Sequence, residues 1–304
     1  MRSLKVHEIG NNNPSEYLDS SEEELLKIYS SKDPEEKVKK ILSDNPPWPL
    51  LYHLSPAREN LLNWYTFPPE ASLLEVGAGC GALTGLFCRR LKKVTALELT
   101  KKRAKIIALR YKEANNLEVI AGNIENFKIG EKFDFVTSIG VLEYAGLYLK
   151  GEDPQKEFLL KLKTLLKPGG TLILAIENRL GLKYWSGCLE DHTSLGFESI
   201  HGYPTATGIK TFSRLELKNL LREAGFSKQE FYYPVPDYKL PVEIYSSRFL
   251  PGEKKLFALG LFPSPVRGSQ REFLFSEHLA MYSLAKNELF EDFSNSFLVC
   301  AKER

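Results

Sequence analysis

Glycines at fixed spacing, followed by an acidic residue, give the clearest chemical signal in this chain. The segment LLEVGAGCGALT (73–84) contains Gly77, Gly79 and Gly81, and Glu98 stands at the end of the next apolar run. Glycines at this spacing let a turn between a strand and a helix approach a ligand closely. A carboxylate about twenty residues further on can accept hydrogen bonds from both hydroxyls of a ribose. The pattern predicts a nucleoside cofactor.

The glycines alone do not decide which cofactor binds. Gly77, Gly79 and Ala82 also satisfy the G-x-G-x-x-A fingerprint of NAD-binding proteins. Glu75 precedes the first glycine by two residues, at the point where a dinucleotide would bring its pyrophosphate. A carboxylate there repels a diphosphate but attracts the ammonium group of S-adenosylmethionine (SAM). The electrostatics therefore favour SAM, with an NAD-dependent oxidoreductase as the alternative.

The elements around this loop alternate in a regular way. Short apolar runs are separated by segments with helical periodicity, which is typical of βαβ units and of a parallel sheet covered by helices on both faces. An α/β fold is therefore expected. The predicted strands are 72–78, 94–99, 117–122, 133–140, 171–177, 228–235 and 296–302. Ser213 is predicted to cap the helix before the strand at 228–235, and the Pro-Gly-Gly sequence is predicted to form a turn before the strand at 171–177.

The two ends of the chain differ from this core. The first seventy residues predict helices at 20–29 and 33–42, a rigid break at NPPWP (45–49) and a third helix over 54–67 that begins at Ser55 and Pro56. Their apolar residues are too few for a separate core, so these helices should dock on the rest of the chain. The predicted organisation is an N-terminal helical extension (1–70), a cofactor-binding core (71–233), a Pro- and aromatic-rich insertion that forms a substrate wall (234–293) and the last strand (294–304).

Four motifs in this order resemble those of the class I SAM-dependent methyltransferases. They are LEVGAGCG, Glu98, the run Gly122-Asn123-Ile124-Glu125 and SIGVLEYA (138–145). The resemblance implies a Rossmann-like, doubly wound, seven-stranded sheet whose last strand is antiparallel to its neighbours. The residues it assigns to SAM are Glu75, Gly77, Ala78, Gly79, Gly81, Glu98, Leu99, Asn123, Ile124, Glu125 and Ile139.

Acceptor sites in this family lie over the ends of the fourth and fifth strands. His192 and His201 follow the fifth strand in EDHTSLGFESIHGYP, and an imidazole is a common proton acceptor for a hydroxyl. We predict these two histidines as catalytic residues. Glu177 and Asp191 do not show the spacing of a magnesium site, so no metal is expected. The predicted acceptor-binding residues are Arg58, Glu143, Tyr144, Asn178, Arg179, Tyr184 and Trp185, with Glu177 nearby.

Three further strings are similar to methyltransferases that accompany bacterial polysaccharide or peptide natural-product pathways: YHLSPARENLLNWY, AIENRLGLKYWSG and EDHTSLGFESIHGYP. We therefore expect an O-methyltransferase that acts on a hydroxyl of a sugar or glycan. The first alternative is methyl-ester formation on a peptide carboxylate, which needs no general base because a carboxylate is already ionised. The second alternative is a SAM-binding scaffold without catalysis.

Composition limits the function classes further. The 304 residues include 43% hydrophobic and 26% charged residues, and 41 basic against 39 acidic residues give a net charge of +2. This balance argues against a protein that mainly neutralises nucleic-acid phosphates. The four cysteines form no metal-binding pattern, and no apolar stretch is long enough to span a membrane. We expect a cytoplasmic protein, and the sequence does not indicate its oligomeric state.

Overall fold

The computed structural model describes residues 4–10, 21–128, 130–252 and 271–303. Internal contacts divide the chain into two units. Unit 1 comprises Met1–Thr137 with Leu165–Lys167, and unit 2 comprises Ser138–Thr164 with Pro168–Arg304.

Unit 1 is built on parallel strands. Its strands β1 (Val6–Glu8), β2 (Ser72–Val76), β3 (Lys93–Glu98) and β4 (Leu117–Ala121) have the order β1-β4-β3-β2. Helix α4 (Thr84–Arg90) connects β2 to β3, and α5 (Lys101–Arg110) connects β3 to β4. Strands β2, β3 and β4 are almost entirely buried, as expected for parallel strands covered by helices. The predicted βαβ units are therefore present.

A further strand, β5 (Phe133–Ile139), starts in unit 1 and ends in unit 2. In unit 1, its Asp134 carboxylate accepts a hydrogen bond from the backbone N–H of Ser72, at the start of β2, over 2.8 Å. In unit 2, the N–H of Gly140, just after β5, donates to the carbonyl of Ala175 over 2.9 Å.

Three helices precede the sheet of unit 1: α1 (Glu22–Tyr29), α2 (Pro34–Ser43) and α3 (Trp48–Leu54). They dock on the rest of the unit as predicted, since Leu25 and Leu54 share an apolar cluster with Cys80 and Ile106. The break predicted at 45–49 is shorter than expected, because α3 already begins at Trp48. The helix predicted over 54–67 is a 3-10 helix, Pro56–Leu61, with the hydroxyl of Ser55 as its cap.

Unit 2 contains an antiparallel arrangement. Its strands are β6 (Leu166–Glu177, in this unit from Pro168), β7 (Lys228–Val235), β8 (Glu243–Ser246) and β9 (Ser296–Lys302). Strand β9 lies between β6 and β7 and runs antiparallel to both, and β8 pairs with β7. The position predicted for the last strand is confirmed.

The helices of unit 2 surround these strands. Helix α9 begins with a capping box, in which the Ser213 hydroxyl accepts from the Glu216 N–H and the Glu216 carboxylate accepts from the Ser213 N–H. This confirms the predicted role of Ser213. The helices are α6 (Ala145–Tyr148), α7 (Pro154–Thr164), α8 (Leu182–Trp185), α9 (Arg214–Glu223), α10 (Glu277–Lys286) and α11 (Phe290–Phe293).

The α/β class and the Rossmann-like core are confirmed, but two details of the prediction are wrong. The described residues contain nine strands rather than seven, because β1 and β8 were not predicted. Strand β6 starts at Leu166, so the Pro-Gly-Gly sequence that was predicted as a turn lies inside the strand. Residues 253–270 of the predicted insertion lie outside the described residues, and the boundaries of the four predicted segments stay predictions. Among the described helices, none is long and apolar enough to cross a membrane.

Candidate active site

The glycine loop of unit 1 has the backbone that its sequence requires. Gly77, Gly79 and Gly81 have φ values of 72°, 58° and 80°, in the left-handed region where a side chain is strained. A Cβ atom added to Gly79 would meet no other heavy atom within 4 Å, so open space lies beside this residue. The N–H groups of Gly77 and Ala78 both donate to the carbonyl of Leu97, which fixes the loop against β3. A ligand can therefore approach the backbone closely at Gly79.

Glu98 closes the loop from the end of β3. Its side chain is buried, and its two oxygens accept hydrogen bonds from the N–H of Gly79 over 2.9 Å and from the N–H of Thr100 over 3.0 Å. Burial raises the pKa of Glu98, although these hydrogen bonds and the charge of Arg103 act in the opposite direction. Oε1 also accepts the hydroxyl of Thr100 over 3.2 Å, whereas Oε2 keeps a second lone pair with which it can accept a ribose hydroxyl.

Glu75 is a buried carboxyl near the end of β2. Its Oε2 accepts a 2.6 Å hydrogen bond from the hydroxyl of Thr84. Burial raises the pKa of Glu75 to about 8, and Thr84 and the positive charge of Arg58 partly offset this increase. A cationic ligand group beside Glu75 would favour the ionised form of the carboxyl.

Arg58 lies in unit 1, where its charge acts on Glu75. It was predicted to bind the acceptor, but it lies in unit 1, whereas the other predicted acceptor residues lie in unit 2. Its guanidinium carbon lies 4.4 Å from the centre of the Tyr52 ring, and its charge acts on Glu75. Its predicted role in acceptor binding stays a prediction.

The other residues predicted to contact SAM have mixed positions. Asn123 accepts a hydrogen bond from the N–H of Glu125 over 3.0 Å and caps a short 3-10 turn, in which Ile124 is buried and Glu125 is exposed. Leu99 is half-buried next to Glu98, and Ile139 ends β5 in unit 2. Their contacts with SAM stay predictions.

A cluster of ionisable side chains lies in unit 2. Glu143 comes from the 3-10 turn after β5, Glu177 is the last residue of β6, and His192 lies in the loop after α8. The Nε2 atom of His192 is 3.7 Å from Oε1 of Glu143 and 3.9 Å from Oε2 of Glu177. All three side chains are at most 4% exposed. We call these three residues the carboxylate–histidine cluster.

The carboxylates of this cluster are incompletely paired. Among the described residues, neither oxygen of Glu143 has a hydrogen-bond partner, and Oε2 of Glu177 has none. Burial raises the pKa of Glu143, and the neighbouring charge of Glu177 acts in the same direction. Buried polar atoms in folded proteins are nearly always paired, so these oxygens are the groups that a bound ligand would satisfy.

Glu190 fixes the orientation of the His192 ring. Its Oε1 lies 2.8 Å from Nδ1 of His192, and its Oε2 accepts the backbone N–H groups of His192 and Thr193. Burial alone would lower the pKa of His192, but the carboxylates of Glu143, Glu190 and Glu177 outweigh it and hold this pKa well above its usual range. The imidazole is therefore a cation near neutral pH, and Nε2 points to Glu143 and Glu177.

Two lysines and an aspartate extend the cluster. Asp191 lies 2.6 Å from the ammonium of Lys183 and 2.9 Å from that of Lys239, and Lys239 also forms an ion pair with Glu177. Burial would raise the pKa of Asp191, but the two lysines hold it well below its usual range. Asp191 is therefore ionised and has cationic partners.

His201, the second predicted catalytic residue, is placed differently. It lies on an exposed turn, where its ring centre is 6.2 Å from that of Phe197, and no contact joins it to the carboxylate–histidine cluster in the described structure. His192 is therefore the predicted histidine that lies among carboxylates, and the catalytic role of His201 stays a prediction.

Asn178 and Arg179 have structural partners. The amide of Asn178 donates to the carbonyls of Asp292 and Ser294, each over 2.7 Å, and so attaches the end of β6 to the segment before β9. Arg179 forms a two-pronged pair with Glu216 over 2.7 and 3.0 Å. These contacts explain both side chains without a ligand.

The aromatic residues of this region also differ from one another. The ring of Tyr144 meets His192 edge-on with 5.2 Å between the ring centres, so Tyr144 lies beside the cluster. Tyr184 is buried and therefore presents no open ring face, whereas Trp185 is 39% exposed. Stacking on a sugar stays a prediction for Trp185 and is not supported for Tyr184.

Sequence reasoning missed three residues that surround the carboxylate–histidine cluster. Glu190 is next to the predicted His192, and the run Glu190-Asp191-His192 is a signal that could have found it. Lys183 precedes Tyr184 and Trp185, the two residues of this segment that were predicted to bind the acceptor. Lys239 is far away along the chain, and no local pattern indicates its place beside Glu177.

Comparisons with known proteins show similarity to methyltransferases. A family model described as a methyltransferase domain matches residues 74–174. The ubiquinone biosynthesis O-methyltransferase of Xanthomonas campestris is 31% identical over 140 residues, which cover 45% of this chain and 55% of that protein. A probable ribosomal RNA small subunit methyltransferase A of Methanosarcina acetivorans is 41% identical over 70 residues, or 23% of this chain and 26% of that protein.

The chain thus spans between about a quarter and about half of the length of these curated relatives. Among solved structures, a SAM-dependent methyltransferase of Thermotoga maritima, described as a possible histamine N-methyltransferase, is similar with a TM-score of 0.48. It is 16% identical, and the alignment covers 88% of this chain and 95% of that one.

The matched segment begins in β2 and ends in β6, and it contains the glycine loop, Glu75 and Glu98. Residues 74–174 form a methyltransferase domain of the class I, SAM-dependent type. SAM is the cofactor of this domain class.

Proposed function

We propose that the chain transfers the methyl group of SAM to a hydroxyl oxygen of a sugar or glycan. The observation that carries this proposal is the carboxylate–histidine cluster, because it places three unpartnered carboxylate oxygens in one buried site. In the reaction, the hydroxyl oxygen attacks the methyl carbon, the carbon–sulfur bond breaks, and S-adenosylhomocysteine leaves. The hydroxyl proton passes to the cluster. Positioning and proton transfer are the main contributions that such a displacement needs.

The proton acceptor is best described as the cluster and not as His192 alone. His192 holds its own proton near neutral pH because three carboxylates surround it. Glu143, by contrast, has two unpartnered oxygens. Groups that interact this closely titrate as a unit, so Glu143 receives the proton while His192 stabilises the charges around it.

The cluster favours a hydroxyl over a carboxylate acceptor. A hydroxyl donates a hydrogen bond to Glu143 or Glu177, whereas a carboxylate has no proton to donate and is repelled by both. This argument places methyl-ester formation on a peptide second. The match to the ribosomal RNA methyltransferase is confined to 70 residues and carries no assignment of the acceptor. With a net charge of +2, we propose a glycan and not a nucleic acid.

We also propose that the protein works in the cytoplasm. All four cysteines lie in the described part of the chain and are free thiols, which is the usual state in a reducing compartment.

The test is transfer of isotopically labelled methyl from SAM into carbohydrate and peptide fractions of an extract of the source organism, followed by mild alkali. Alkali-stable label in carbohydrate supports the proposal, because methyl ethers survive treatment that hydrolyses methyl esters. Release of the label as methanol from a peptide would contradict it and establish a carboxylate acceptor.

Two variants test the role of the cluster in this assay. Glu143→Gln keeps the size of the side chain but removes the proton acceptor, so we expect a rate loss of roughly 10²–10⁴-fold. Glu223→Gln in α9 is the matched control, because Glu223 pairs with Lys156 at the surface of the same unit, and its rate should equal that of the wild type. Equal rates for Glu143→Gln and the wild type would exclude the cluster as the proton acceptor.

A further inference from the structure

We propose that Glu143, Glu177 and His192 bind one divalent transition-metal ion. One ring nitrogen and one oxygen from each carboxylate all lie within 4.8 Å of one another. Zinc-type ions bind such ligands at roughly 2.0–2.2 Å, which puts two ligand atoms about 3.4 Å apart in a tetrahedral site. The distances from Nε2 to the two carboxylates are 3.7 and 3.9 Å, and all three ligand atoms lie within 4.8 Å, so they must approach one another by up to about 1.4 Å on binding.

The unpartnered oxygens give independent support. Both oxygens of Glu143 and Oε2 of Glu177 are buried, and none has a hydrogen-bond partner among the described residues. A buried carboxylate needs hydrogen bonds or a cation to offset the loss of hydration. An ion that binds one oxygen of each glutamate supplies that compensation, and Oε1 of Glu177 keeps its ion pair with Lys239.

The surroundings of His192 have the form of a metal-binding histidine. Such a histidine usually binds the ion through one nitrogen and donates its other N–H to a carboxylate, which fixes its tautomer and orientation. Here Glu190 holds Nδ1 at 2.8 Å, and Nε2 is the atom directed at Glu143 and Glu177. Glu190 in turn is fixed by two backbone N–H groups and by the hydroxyl of Tyr203.

Asp191 is not one of the proposed ligands, because it lies between Lys183 and Lys239 and its charge is already paired. A histidine must be neutral to bind a metal ion, so the ion would displace the proton that His192 holds in its absence.

The ligand set also indicates which ions fit. Magnesium and calcium prefer sites made of oxygen alone, whereas one imidazole with two carboxylates suits Zn²⁺, Mn²⁺ or Fe²⁺. Three protein ligands leave at least one coordination position open. A role for the ion in catalysis rests on the proposed function: the acceptor hydroxyl would bind at the open position, and the second oxygen of Glu143 would take its proton.

The sequence alone predicts no metal, because Glu177 and Asp191 do not have the spacing of two metal ligands. The structure separates these two acids by role. Glu177 faces His192 and Glu143, whereas Asp191 pairs with Lys183 and Lys239.

The experiment is calorimetric titration of the chelator-treated full chain with Zn²⁺, without SAM or acceptor. We expect one equivalent bound by the wild type and by the control Glu223→Gln. Glu143→Gln and His192→Asn should lose this binding, and Glu190→Gln should weaken it by roughly 10–100-fold, as for other carboxylates that orient a ligating histidine. Circular dichroism of each variant shows that the fold is kept.

The proposal is overturned if the wild type shows no saturable one-to-one binding. It is also overturned if folded Glu143→Gln binds Zn²⁺ as tightly as the wild type. Replacement of Zn²⁺ by Co²⁺ gives a second readout, because ligation by the cluster changes the visible spectrum of the ion, and a spectrum identical in wild type and His192→Asn would contradict the site. Since no step uses SAM, failure of metal binding and failure of methyl transfer are observed separately.

Discussion

Glu75 is predicted to bind SAM, but its carboxyl is buried, and burial disfavours the ionised form. Its pKa is about 8 because it is buried, so the carboxyl is largely neutral at pH 6 and must ionise to pair with the ammonium of SAM. We predict that SAM affinity rises by up to about tenfold between pH 6 and pH 7, the limit set by one proton lost on binding. Calorimetry at both pH values measures this change.

Glu75→Gln is the control for this prediction. The amide has the same shape but no titration, so its SAM affinity should be nearly independent of pH. It should also be about 10–100-fold weaker than that of the wild type at pH 7, the usual contribution of a charged hydrogen bond. An unchanged pH dependence in this variant would show that another group controls binding.

The titration of Glu75 affects stability in the opposite direction: SAM affinity should rise with pH, whereas the free energy of unfolding should fall. A carboxyl with a pKa of 4.5 in the unfolded chain and about 8 in the folded chain keeps its proton longer in the folded state. Stability from this group is therefore complete below pH 4.5 and decreases as the pH rises through 8. We predict that denaturant unfolding at pH 8.5 finds the ligand-free Glu75→Gln variant more stable than the wild type, by up to about 5 kcal/mol, the free energy that corresponds to the difference between the two pKa values. A less stable variant would contradict the burial argument.

At the scale of elements, a buried ion pair attaches α1 to α5. The guanidinium of Arg103 lies 2.8 Å from Glu22, and both side chains are at most 8% exposed. Because a buried guanidinium loses a charged partner, we predict that Glu22→Gln lowers the free energy of unfolding by about 3 kcal/mol. Urea denaturation measures it.

A surface ion pair of the same helices provides the comparison. Glu23 and Lys102 are also paired, but their side chains are 68% and 36% exposed. Glu23→Gln should therefore change the free energy of unfolding much less than Glu22→Gln does. Similar losses for the two variants would show that α1 is not held by the buried pair.

Local signals explain which elements were predictable. The strand, glycine turn and helix of residues 72–90 and the capping box at Ser213 depend on neighbours in the sequence, and these predictions are confirmed. Strands β1 and β8 have only three and four residues, so they have too few positions for a recognisable pattern. Their pairing with β4 and β7 forms through contacts distant in sequence.

The candidate site shows the same limit at the scale of the whole molecule. The motifs that indicate SAM are continuous, so Glu75 and Glu98 could be predicted as cofactor residues from the sequence, and their contacts with SAM stay predictions. The residues predicted to bind the acceptor come from separate segments of the chain. The ion pair of Lys239 with Glu177 likewise joins residues that only folding brings together. His201 and Arg179 are residue types that can act on or bind an acceptor. The sequence does not show that His201 is exposed or that Arg179 pairs with Glu216, because both features arise from the fold.

The central claim at this scale is that the chain is a catalyst and not a SAM-binding scaffold. The most direct measurement is the number of S-adenosylhomocysteine molecules released per chain with SAM and an extract of the source organism. We predict many turnovers that depend on the extract and that are reduced roughly 10²–10⁴-fold in Glu143→Gln. Release of no more than one molecule per chain, under conditions where calorimetry shows that SAM binds, would contradict the account.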